Sequence, residues 1–355
     1  MRVLYFGTYE RDYPRNAQVI SALRGAGVEV EERHVPIWEG RRRSFSAGAG
    51  PATRIALAEA RLARRAPSDV DAVVVGYPGQ PDLPAARYAA GRRPVVFNAL
   101  VSLHETLVDD RRRFRPASLA ARALVALDRL ALRTADLVVT DTEANADFLA
   151  AFAGLPRSRV EACLVGAEER LFRPGWSPAE PWTCLFVGKL IPLHGLETIL
   201  AAARLAPDVP FRLVGSGQLE PVLADRPSNV EWVPWVDYEL LPGELHRAGC
   251  ALGVFGRSPK AARVIPNKAY QALACGTPLV TAATPAAAEL LVDGESALLV
   301  PSGDPEALAA AVRRLRDDPE LAVGIAAGGR RAYEKRASEA VLGARWRALL
   351  ERLPA

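Results

Sequence analysis

LFVGKLIPLHGLETILAAARLAP (185–207) contains a complete strand–turn–helix unit. The apolar run LFV ends at Gly188, a short turn follows, and the rest of the stretch carries an apolar stripe at helical spacing. A short apolar run bounded by a turn is typical of a strand buried in a parallel sheet, and the striped segment predicts an amphipathic helix. This unit therefore indicates an α/β fold with a parallel sheet.

The same alternation of apolar runs and helical patterns extends in both directions, and each half of the chain begins its own strand series. We therefore expect two doubly wound Rossmann-like domains, residues 1–174 and 175–339, facing each other across a cleft. The proline-rich segment 171–182 is the predicted linker. The predicted strands are VLYF (3–6), DAVVVG (71–76), PVVFN (94–98), ADLVVT (135–140), CLFVG (184–188), FRLVG (211–215), NVEWV (229–233), ALGVF (251–255) and PLVT (278–281).

The composition agrees with two globular domains. The 355 residues are 50% hydrophobic and 24% charged, and domains average roughly 150 residues. Residues 1–174 hold 26 basic against 21 acidic residues, a charge of +5, and residues 175–355 hold 19 against 20, a charge of −1. Because a modest surplus confined to one half differs from the concentrated basic stripe or face of a nucleic-acid binder, we expect no nucleic-acid partner. An acidic small molecule or an anionic membrane is compatible with it.

The basic residues are almost all arginine. Of the 45 basic residues, 41 are arginine. The four lysines are Lys189, Lys260, Lys268 and Lys335.

The cysteine pattern indicates a reducing compartment. No two of the cysteines form a C-x-x-C pair and each lies among apolar residues, so we expect buried reduced thiols. They are Cys163, Cys184, Cys250 and Cys275.

The sequence also predicts the cellular location of the protein. The N-terminus has no signal-peptide layout, and no apolar stretch is long enough to span a membrane. The prediction is a cytoplasmic protein. Peripheral contact with the inner face of a membrane, through the Arg41–Arg43 and Arg111–Arg113 runs, stays open at this point.

The turn after strand CLFVG predicts an anion site. Gly188, Lys189 and His194 lie where a strand ends and a helix begins, and free backbone N–H groups and cations there attract negative charge. Gly215 and Gly217 follow the next strand, and glycines there let backbone amides approach a phosphate. Glu220 stands where a third glycine would complete a dinucleotide fingerprint, so this second signal is weak alone.

The stretch GRSPKAARVIPNKAYQALACGTPLV (256–280) predicts a helix that begins at Asn267 or Pro266. Lys268 and Gln271 are three residues apart and share a face of its first turn. A cation and an amide at this position suit the phosphate and ribose of a nucleotide.

With these motifs the chain resembles glycosyltransferase family 4, whose members have the GT-B fold, over nearly its whole length. VGKLIPLHG resembles the family's G-[R/K]-x-x-x-x-K-G turn, with Lys189 and His194 at the two cations that bind the donor's diphosphate. The family's block that contains its Glu–seven residues–Glu element resembles the stretch from Pro259 to Val280, with ALACGTPLV (272–280) nearly verbatim.

The departures from the family pattern concern charge. The two glutamates of the family's element fall on Arg263 and Gln271. Gln271 retains the ability to hydrogen-bond ribose hydroxyls, whereas Arg263 reverses the charge. His194 is a weaker and pH-dependent cation than lysine.

The first half resembles the family's acceptor domain less sharply. Gly7, Arg11 and Arg15 lie where the family has a glycine-rich loop near the donor phosphates. His104 and Glu105 follow a strand at the place of the family's acceptor-side histidine, and they are the expected contacts of the reacting hydroxyl.

Asp141-Thr142-Glu143 superficially resembles a metal-binding D-x-D motif. A strand end with Thr142 capping a helix explains it better, so no metal ligand is expected there.

The resemblance implies transfer of a sugar from a nucleotide-diphosphate sugar to an acceptor, with retention of configuration and without a cofactor or divalent metal. Two alternatives stay open: a nucleotide-sugar isomerase or epimerase, and a catalytically silent partner that binds nucleotide sugars. The segment 340–355 is amphipathic, and by resemblance it crosses back onto the first domain. The base, the sugar, the acceptor and the oligomeric state are not predicted.

Overall fold

The computed structural model describes residues 1–11, 13–37, 49–67 and 69–354. The chain forms two compact units, Met1–Val165 with Glu339–Ala355, and Gly166–Ser338. The boundary precedes the predicted one, because residues 166–174 pack against the second unit. There the hydroxyl of Tyr333 donates to Glu169 Oε1 at 3.0 Å, and the rings of Phe172 and Tyr238 lie 5.5 Å apart.

The first unit contains a six-stranded parallel sheet in the order β2-β1-β3-β4-β5-β6. Helices α2 to α5 cover one face of this sheet, and α1 and α12 cover the other. The elements are β1 (Arg2–Gly7), α1 (Pro14–Gly25), β2 (Glu29–His34), α2 (Ala49–Leu62), β3 (Ala72–Val75), α3 (Leu83–Ala90), β4 (Val95–Asn98), α4 (Leu119–Thr134), β5 (Leu137–Thr140), α5 (Glu143–Ala153), β6 (Val160–Ala162) and α12 (Glu339–Glu351).

The second unit contains another six-stranded parallel sheet, in the order β12-β11-β10-β7-β8-β9. Its strand order is that of the dinucleotide-binding Rossmann fold. The elements are β7 (Cys184–Val187), α6 (Leu196–Leu205), β8 (Phe211–Val214), β9 (Val230–Val233), α7 (Leu241–Arg247), β10 (Cys250–Leu252), α8 (Asn267–Cys275), β11 (Leu279–Ala282), α9 (Pro285–Ala288), β12 (Leu298–Val300), α10 (Pro305–Asp317) and α11 (Pro319–Arg336).

Strand β2 lies at the edge of its sheet and has no counterpart in the sequence prediction. Its sequence is EVEERH, and none of its residues is fully buried. Because an edge strand pairs on one side only and borders solvent, it needs no apolar run. The short strands β6 and β12, of three residues each, were also not predicted from the sequence.

The C-terminal helix α12 packs on α1 within the first unit. Trp346 and Leu342 are buried there. Gly343 lies so close to α1 that a side chain would collide with the carbonyl of Ala22. This placement agrees with the expectation for the segment 340–355.

All four cysteines are free and buried, as predicted. Within the described part of the chain, no helix combines the length and apolar character needed to cross a membrane. The run Arg41–Arg43 lies outside the described residues.

Candidate functional site

The strand order of the second unit identifies where a ligand would bind. The chain leaves β7 toward β8 on one side and later adds β10 on the other. Doubly wound folds bind ligands in the crevice beyond the carboxyl ends of strands at such a reversal. Gly188 and Lys189 follow β7 directly, and residues 253–260 follow β10.

Three predicted glycines shape this crevice through close backbone packing. Gly188, Gly215 and Gly217 have φ values of 148°, 138° and 158°. A side chain at Gly215 would collide with the carbonyl of Gly188, and one at Gly217 would lie 2.7 Å from the carbonyl of Leu190. The loops after β7 and β8 therefore stack backbone on backbone, which only glycine permits.

Lys268, in the first turn of α8, has a buried ammonium group without a hydrogen-bond partner. Nζ lies 3.7 Å from the centre of the Phe186 ring. A Cβ on Gly188 would be 2.8 Å from Nζ, so the lysine reaches the backbone of the β7 turn. Burial holds the pKa of this ammonium well below its usual range. A buried cation without a partner is costly, and an anion placed beside it would restore its charge.

His194 is also buried, and its ring lies edge-on to Phe186. Its Nδ1 is 2.5 Å from the carbonyl of Lys189. Because a carbonyl only accepts, Nδ1 carries the proton and Nε2 keeps a lone pair. Burial, and next the charge of Lys268, lower the pKa of His194 well below its usual range. The charge expected from the family pattern at this position is therefore absent near neutral pH, because the imidazole is desolvated among cations.

Three of the four lysines lie around this histidine. Lys189, Lys260 and Lys268 all act electrostatically on His194, and each lowers its pKa. Lys189 is exposed, whereas Lys260 is buried. The sequence analysis did not select Lys260 as a site residue. Because lysine is rare in this chain, its presence there could have indicated a special role. The crevice is thus electropositive and suited to an anion.

The remaining predicted donor residues lie on or just before α8. Asn267 is its first residue, and Arg263 ends a short 3-10 helix that precedes it. Gln271 is buried, and its Nε2 donates to the hydroxyl of Tyr238 at 3.4 Å. The sequence did not single out Tyr238, whose partial burial raises its pKa to about 12.

In the first unit, Gly7 lies at the carboxyl end of β1 with a φ of 129°. A side chain there would collide with the carboxylate of Asp82. That carboxylate accepts hydrogen bonds from the backbone N–H of Thr8 at 2.7 Å and from its hydroxyl at 3.0 Å. Burial raises the pKa of Asp82. Gly7 therefore lets the loop after β1 close onto a buried carboxyl group.

His104 and Glu105 lie at the start of a π-type helical turn, Glu105–Asp110. Asp128 of α4 holds this turn through bonds from the hydroxyl of Ser102 at 2.8 Å and the backbone N–H of His104 at 2.9 Å. Glu105 is buried, whereas the His104 side chain is 23% exposed. π-type turns often occur at functional sites. The acceptor-side roles of both residues stay predictions.

Arg15 has a structural environment that the sequence did not indicate. It is fully buried. Its guanidinium donates to Asn98 Oδ1 at 2.8 Å, to the carbonyl of Cys163 at 2.8 Å and to that of Thr140 at 3.3 Å. These acceptors lie at the ends of β4, β5 and β6. Its neighbour in the prediction, Arg11, pairs with Glu32 on the surface at 3.1 Å.

Thr142 caps α5 by accepting from the backbone N–H of Asn145 at 3.1 Å, as predicted. Asp141 accepts from the Asn145 amide at 2.8 Å. In the described residues, no group of three or more His, Cys, Asp or Glu side chains could hold a metal ion.

Comparison with known proteins identifies relatives of the second half. Residues 181–318 match the family model of glycosyl transferases group 1. A D-inositol 3-phosphate glycosyltransferase from Acidothermus cellulolyticus is 33% identical over 249 residues, which cover 61% of this chain and 54% of that protein. Glycogen synthase from Mycobacterium tuberculosis is 31% identical over 160 residues, covering 42% of this chain and 37% of that protein. The chain thus spans about half the length or less of these curated relatives.

Two solved structures resemble the whole chain. Sucrose-phosphate synthase from Thermosynechococcus elongatus superimposes with a TM-score of 0.76 at 17% identity, covering 99% of this chain and 98% of that chain. HepE from Anabaena, solved with UDP-glucose, superimposes with a TM-score of 0.69 at 16% identity, covering 99% and 100%. These likenesses confirm the predicted fold class, two Rossmann-like domains of the GT-B type.

Proposed function

Because residues 181–318 match the family model of glycosyl transferases group 1, we propose that the protein is a retaining glycosyltransferase. It moves a sugar from a nucleotide-diphosphate sugar to an acceptor hydroxyl. The proposal rests on one observation above all, the buried ammonium of Lys268 without a hydrogen-bond partner beside Gly188.

The chemical requirement explains why this cation matters. Sugar transfer expels a diphosphate while positive charge builds on the sugar, so the site must stabilise the charge of the leaving group. Preorganised cations and backbone N–H groups act strongly in a site that excludes water. Lys268 and Lys189 supply cations in this proposal, and the backbone near Gly215 and Gly217 supplies close amides. The lysines take the place of a divalent metal, and no cofactor takes part.

The neighbouring residues have distinct tasks in this proposal. Neutral His194 offers Nε2 as an acceptor, either for a hydroxyl of the donor sugar or for the ammonium of Lys268. Gln271 hydrogen-bonds the ribose, and it exchanges Tyr238 for that partner when donor binds. In the first unit, His104 and Glu105 contact the acceptor hydroxyl.

The named relatives suggest which substrates to try first. HepE was solved with UDP-glucose, and a relative is a D-inositol 3-phosphate glycosyltransferase. UDP-glucose is accordingly the first donor to test, and inositol phosphates are the first acceptors. Peripheral contact with the inner face of a membrane is also part of the proposal, and the acceptor is then lipid-linked.

The experiment begins with a thermal-shift panel of UDP, GDP, ADP and dTDP in the presence of a chelator, followed by the matching nucleotide sugars. We expect one base to raise the melting temperature, and its nucleotide sugar to be hydrolysed slowly alone and consumed faster with an acceptor. Lys189→Ala should lower turnover by about tenfold or more, the scale of a lost charge-stabilising donor. Conversion of the nucleotide sugar to an isomer without an acceptor would replace transfer by isomerisation. Binding without hydrolysis or transfer with any acceptor would indicate a silent binding protein.

A further inference from the structure

A cavity of about 240 Å³ opens beside His104 in the first unit. The rest of its wall comes from α4 and the loop before it, namely Ala117, Ala121, Arg122 and Val125. His104 lies on the segment that follows β4, and α4 leads into the parallel strand β5, so both lie toward the carboxyl edge of the sheet. Doubly wound folds bind their ligands beyond that edge. The cavity is therefore at a place where a ligand of the first unit is expected.

Most of the cavity wall is apolar. Apart from His104 and Arg122, it consists of the methyl groups of two alanines and a valine. An apolar cavity of about 150 Å³ is enough to hold benzene, so this cavity fits one ring with two short substituents. A polyol would lose hydrogen bonds to water there without gaining others along the methyl groups. The wall therefore favours a ligand with an apolar ring.

The two polar side chains of the wall can bind the substituents of such a ring. Nδ1 of His104 lies 3.7 Å from Asp109 Oδ2, which favours the tautomer with a proton on Nδ1. The lone pair of Nε2 then has no hydrogen-bond partner among the described residues and can accept from a hydroxyl. Arg122 is exposed, and no carboxylate of the described part of the chain pairs with its guanidinium. A guanidinium binds a carboxylate through two parallel hydrogen bonds.

The wall is held in place before any ligand arrives. Asp128 of α4 accepts from the backbone N–H groups of Leu103 at 3.0 Å and of His104 at 2.9 Å, so α4 fixes the segment that carries the histidine. Ala117 has a φ of 63°, a left-handed conformation that costs energy for residues other than glycine and that often occurs at ligand sites. A preformed site loses less entropy when it binds its ligand.

From these features we infer that the cavity binds the acceptor and that the acceptor is a hydroxylated aromatic acid. Its ring lies against Ala121 and Val125, its carboxylate pairs with Arg122, and its hydroxyl donates to His104 Nε2. An aromatic ring suits the site better than a saturated one, because a guanidinium also packs on aromatic faces.

The inference rests on the proposed function, because it names the acceptor class of that reaction. In the transfer step the hydroxyl oxygen of the acid bonds to the anomeric carbon of the donor sugar. The bond from that carbon to the diphosphate breaks, and the hydroxyl proton leaves with the nucleoside diphosphate.

The test begins with NMR titrations of the full chain, without nucleotide. The ligands are 4-hydroxybenzoate, its 3-hydroxy isomer, the uncharged 4-hydroxybenzyl alcohol, and D-inositol 3-phosphate as the acceptor that a relative's name suggests. We expect at least one hydroxybenzoate to bind with a dissociation constant of about 1 mM, as is usual for ten non-hydrogen atoms. The alcohol and the inositol phosphate should bind more weakly. With the donor present, the bound hydroxybenzoate should be converted to its glycoside.

Matched variants locate the binding site. Ala121→Leu fills the cavity and should weaken binding about tenfold or more, whereas Ala123→Leu, at an exposed position of α4 outside the cavity, should not. Arg122→Gln should weaken binding about fivefold, the upper range for an exposed ion pair, and the exposed Arg314→Gln should not. Val125→Ala enlarges the cavity and should admit the two-ring 6-hydroxy-2-naphthoate, which the wild type excludes. A misfolded variant would not gain a ligand.

Several outcomes overturn the inference. They are failure of both hydroxybenzoates to bind, binding no tighter than that of inositol 3-phosphate, or equal losses in the control variants. Donor binding and donor consumption on the same samples report on the proposed function. If the donor is transferred to inositol phosphate while neither hydroxybenzoate is bound, the inference fails and the proposed function stands. If a hydroxybenzoate binds but no nucleotide sugar binds or reacts, the proposed function fails and the acceptor role falls with it.

Discussion

Lys268→Met tests the donor site most directly, because it should affect stability and ligand binding in opposite directions. Methionine retains the length and apolar stem of lysine but lacks the ammonium. In the donor-free protein that ammonium is buried beside Phe186 and Gly188 without a hydrogen-bond partner. Removing it takes away the cost of a buried polar group, about 1–3 kcal/mol. The variant should therefore melt at a higher temperature than the wild type when no ligand is present.

Donor binding should weaken in the same variant. A hydrogen bond to a charged group contributes about 1.5–3 kcal/mol, so the dissociation constant should rise roughly tenfold to a hundredfold. The lowered pKa of Lys268 adds a pH signature. An anion beside the ammonium raises that pKa again, so the wild type takes up a proton on binding and its affinity falls as pH rises between the two pKa values.

The free energy of unfolding should also depend on pH through the lowered pKa of Lys268. The unfolded chain holds the Lys268 proton up to a pKa near 10.5, whereas the folded, donor-free protein loses it at lower pH. Between these two values the unfolded state binds more protons, and the contribution of Lys268 to the free energy of unfolding rises with pH. The difference in the free energy of unfolding between wild type and Lys268→Met, measured as a function of pH, should separate this slope from the contributions of other titrating groups.

Isothermal titration calorimetry in two buffers of different ionisation enthalpy measures the proton uptake. A nucleotide sugar is the correct ligand, because the terminal phosphate of a free nucleotide itself titrates near pH 6. We expect proton uptake by the wild type and markedly less by Lys268→Met. Unchanged affinity together with unchanged proton uptake in the variant would refute the assignment of Lys268 to the diphosphate.

Four further substitutions separate structural residues from ligand-binding ones. Gly343→Ala should lower the free energy of unfolding by about 1–3 kcal/mol, because the new methyl group overpacks α12 against α1. Gly324→Ala on α11, where a Cβ meets nothing within 4 Å, should stabilise by up to about 1 kcal/mol, and equal denaturant midpoints for the pair would contradict this packing. Arg15→Met should destabilise by about 1–3 kcal/mol for each buried acceptor left unsatisfied, without changing donor affinity, since its guanidinium donates to buried acceptors. A changed donor affinity in the folded variant would indicate that Arg15 belongs to the binding site after all. Gln271→Ala should raise the donor's KM more than it lowers kcat, and steady-state kinetics with an unchanged KM would exclude ribose binding.

The fold was predictable because buried parallel strands carry a strong local pattern. The runs at 72–75, 95–97 and 184–187 are apolar throughout, and polar or turn residues end each of them. Strand β2 escaped prediction because one edge faces solvent and EVEERH gives no apolar signal. The domain boundary also differed, since tertiary contacts of Glu169 and Phe172 decide which unit holds residues 166–174.

The position of the proposed donor site could be predicted from motif spacing, but the charge state of its residues could not. Gly188, Lys189 and His194 lie within seven consecutive residues, so their place just after β7 could be expected. Burial depends on contacts from distant elements, however, and Lys268 reaches the β7 turn from α8. The sequence alone therefore supported a cation at His194, whereas the structure makes it a neutral hydrogen-bonding group.

The contrast between Arg15 and Lys268 explains why lysine stands at position 268 in a chain that otherwise prefers arginine. Both side chains are buried, but Arg15 has acceptors for its guanidinium, whereas Lys268 has none. A guanidinium does not lose its proton in proteins, and an ammonium does so readily when buried. At position 268 an arginine would remain charged and unpartnered in the empty site. A lysine whose pKa is lowered by burial can release its proton in the empty site, and in the proposed function a diphosphate beside it would favour the protonated form again.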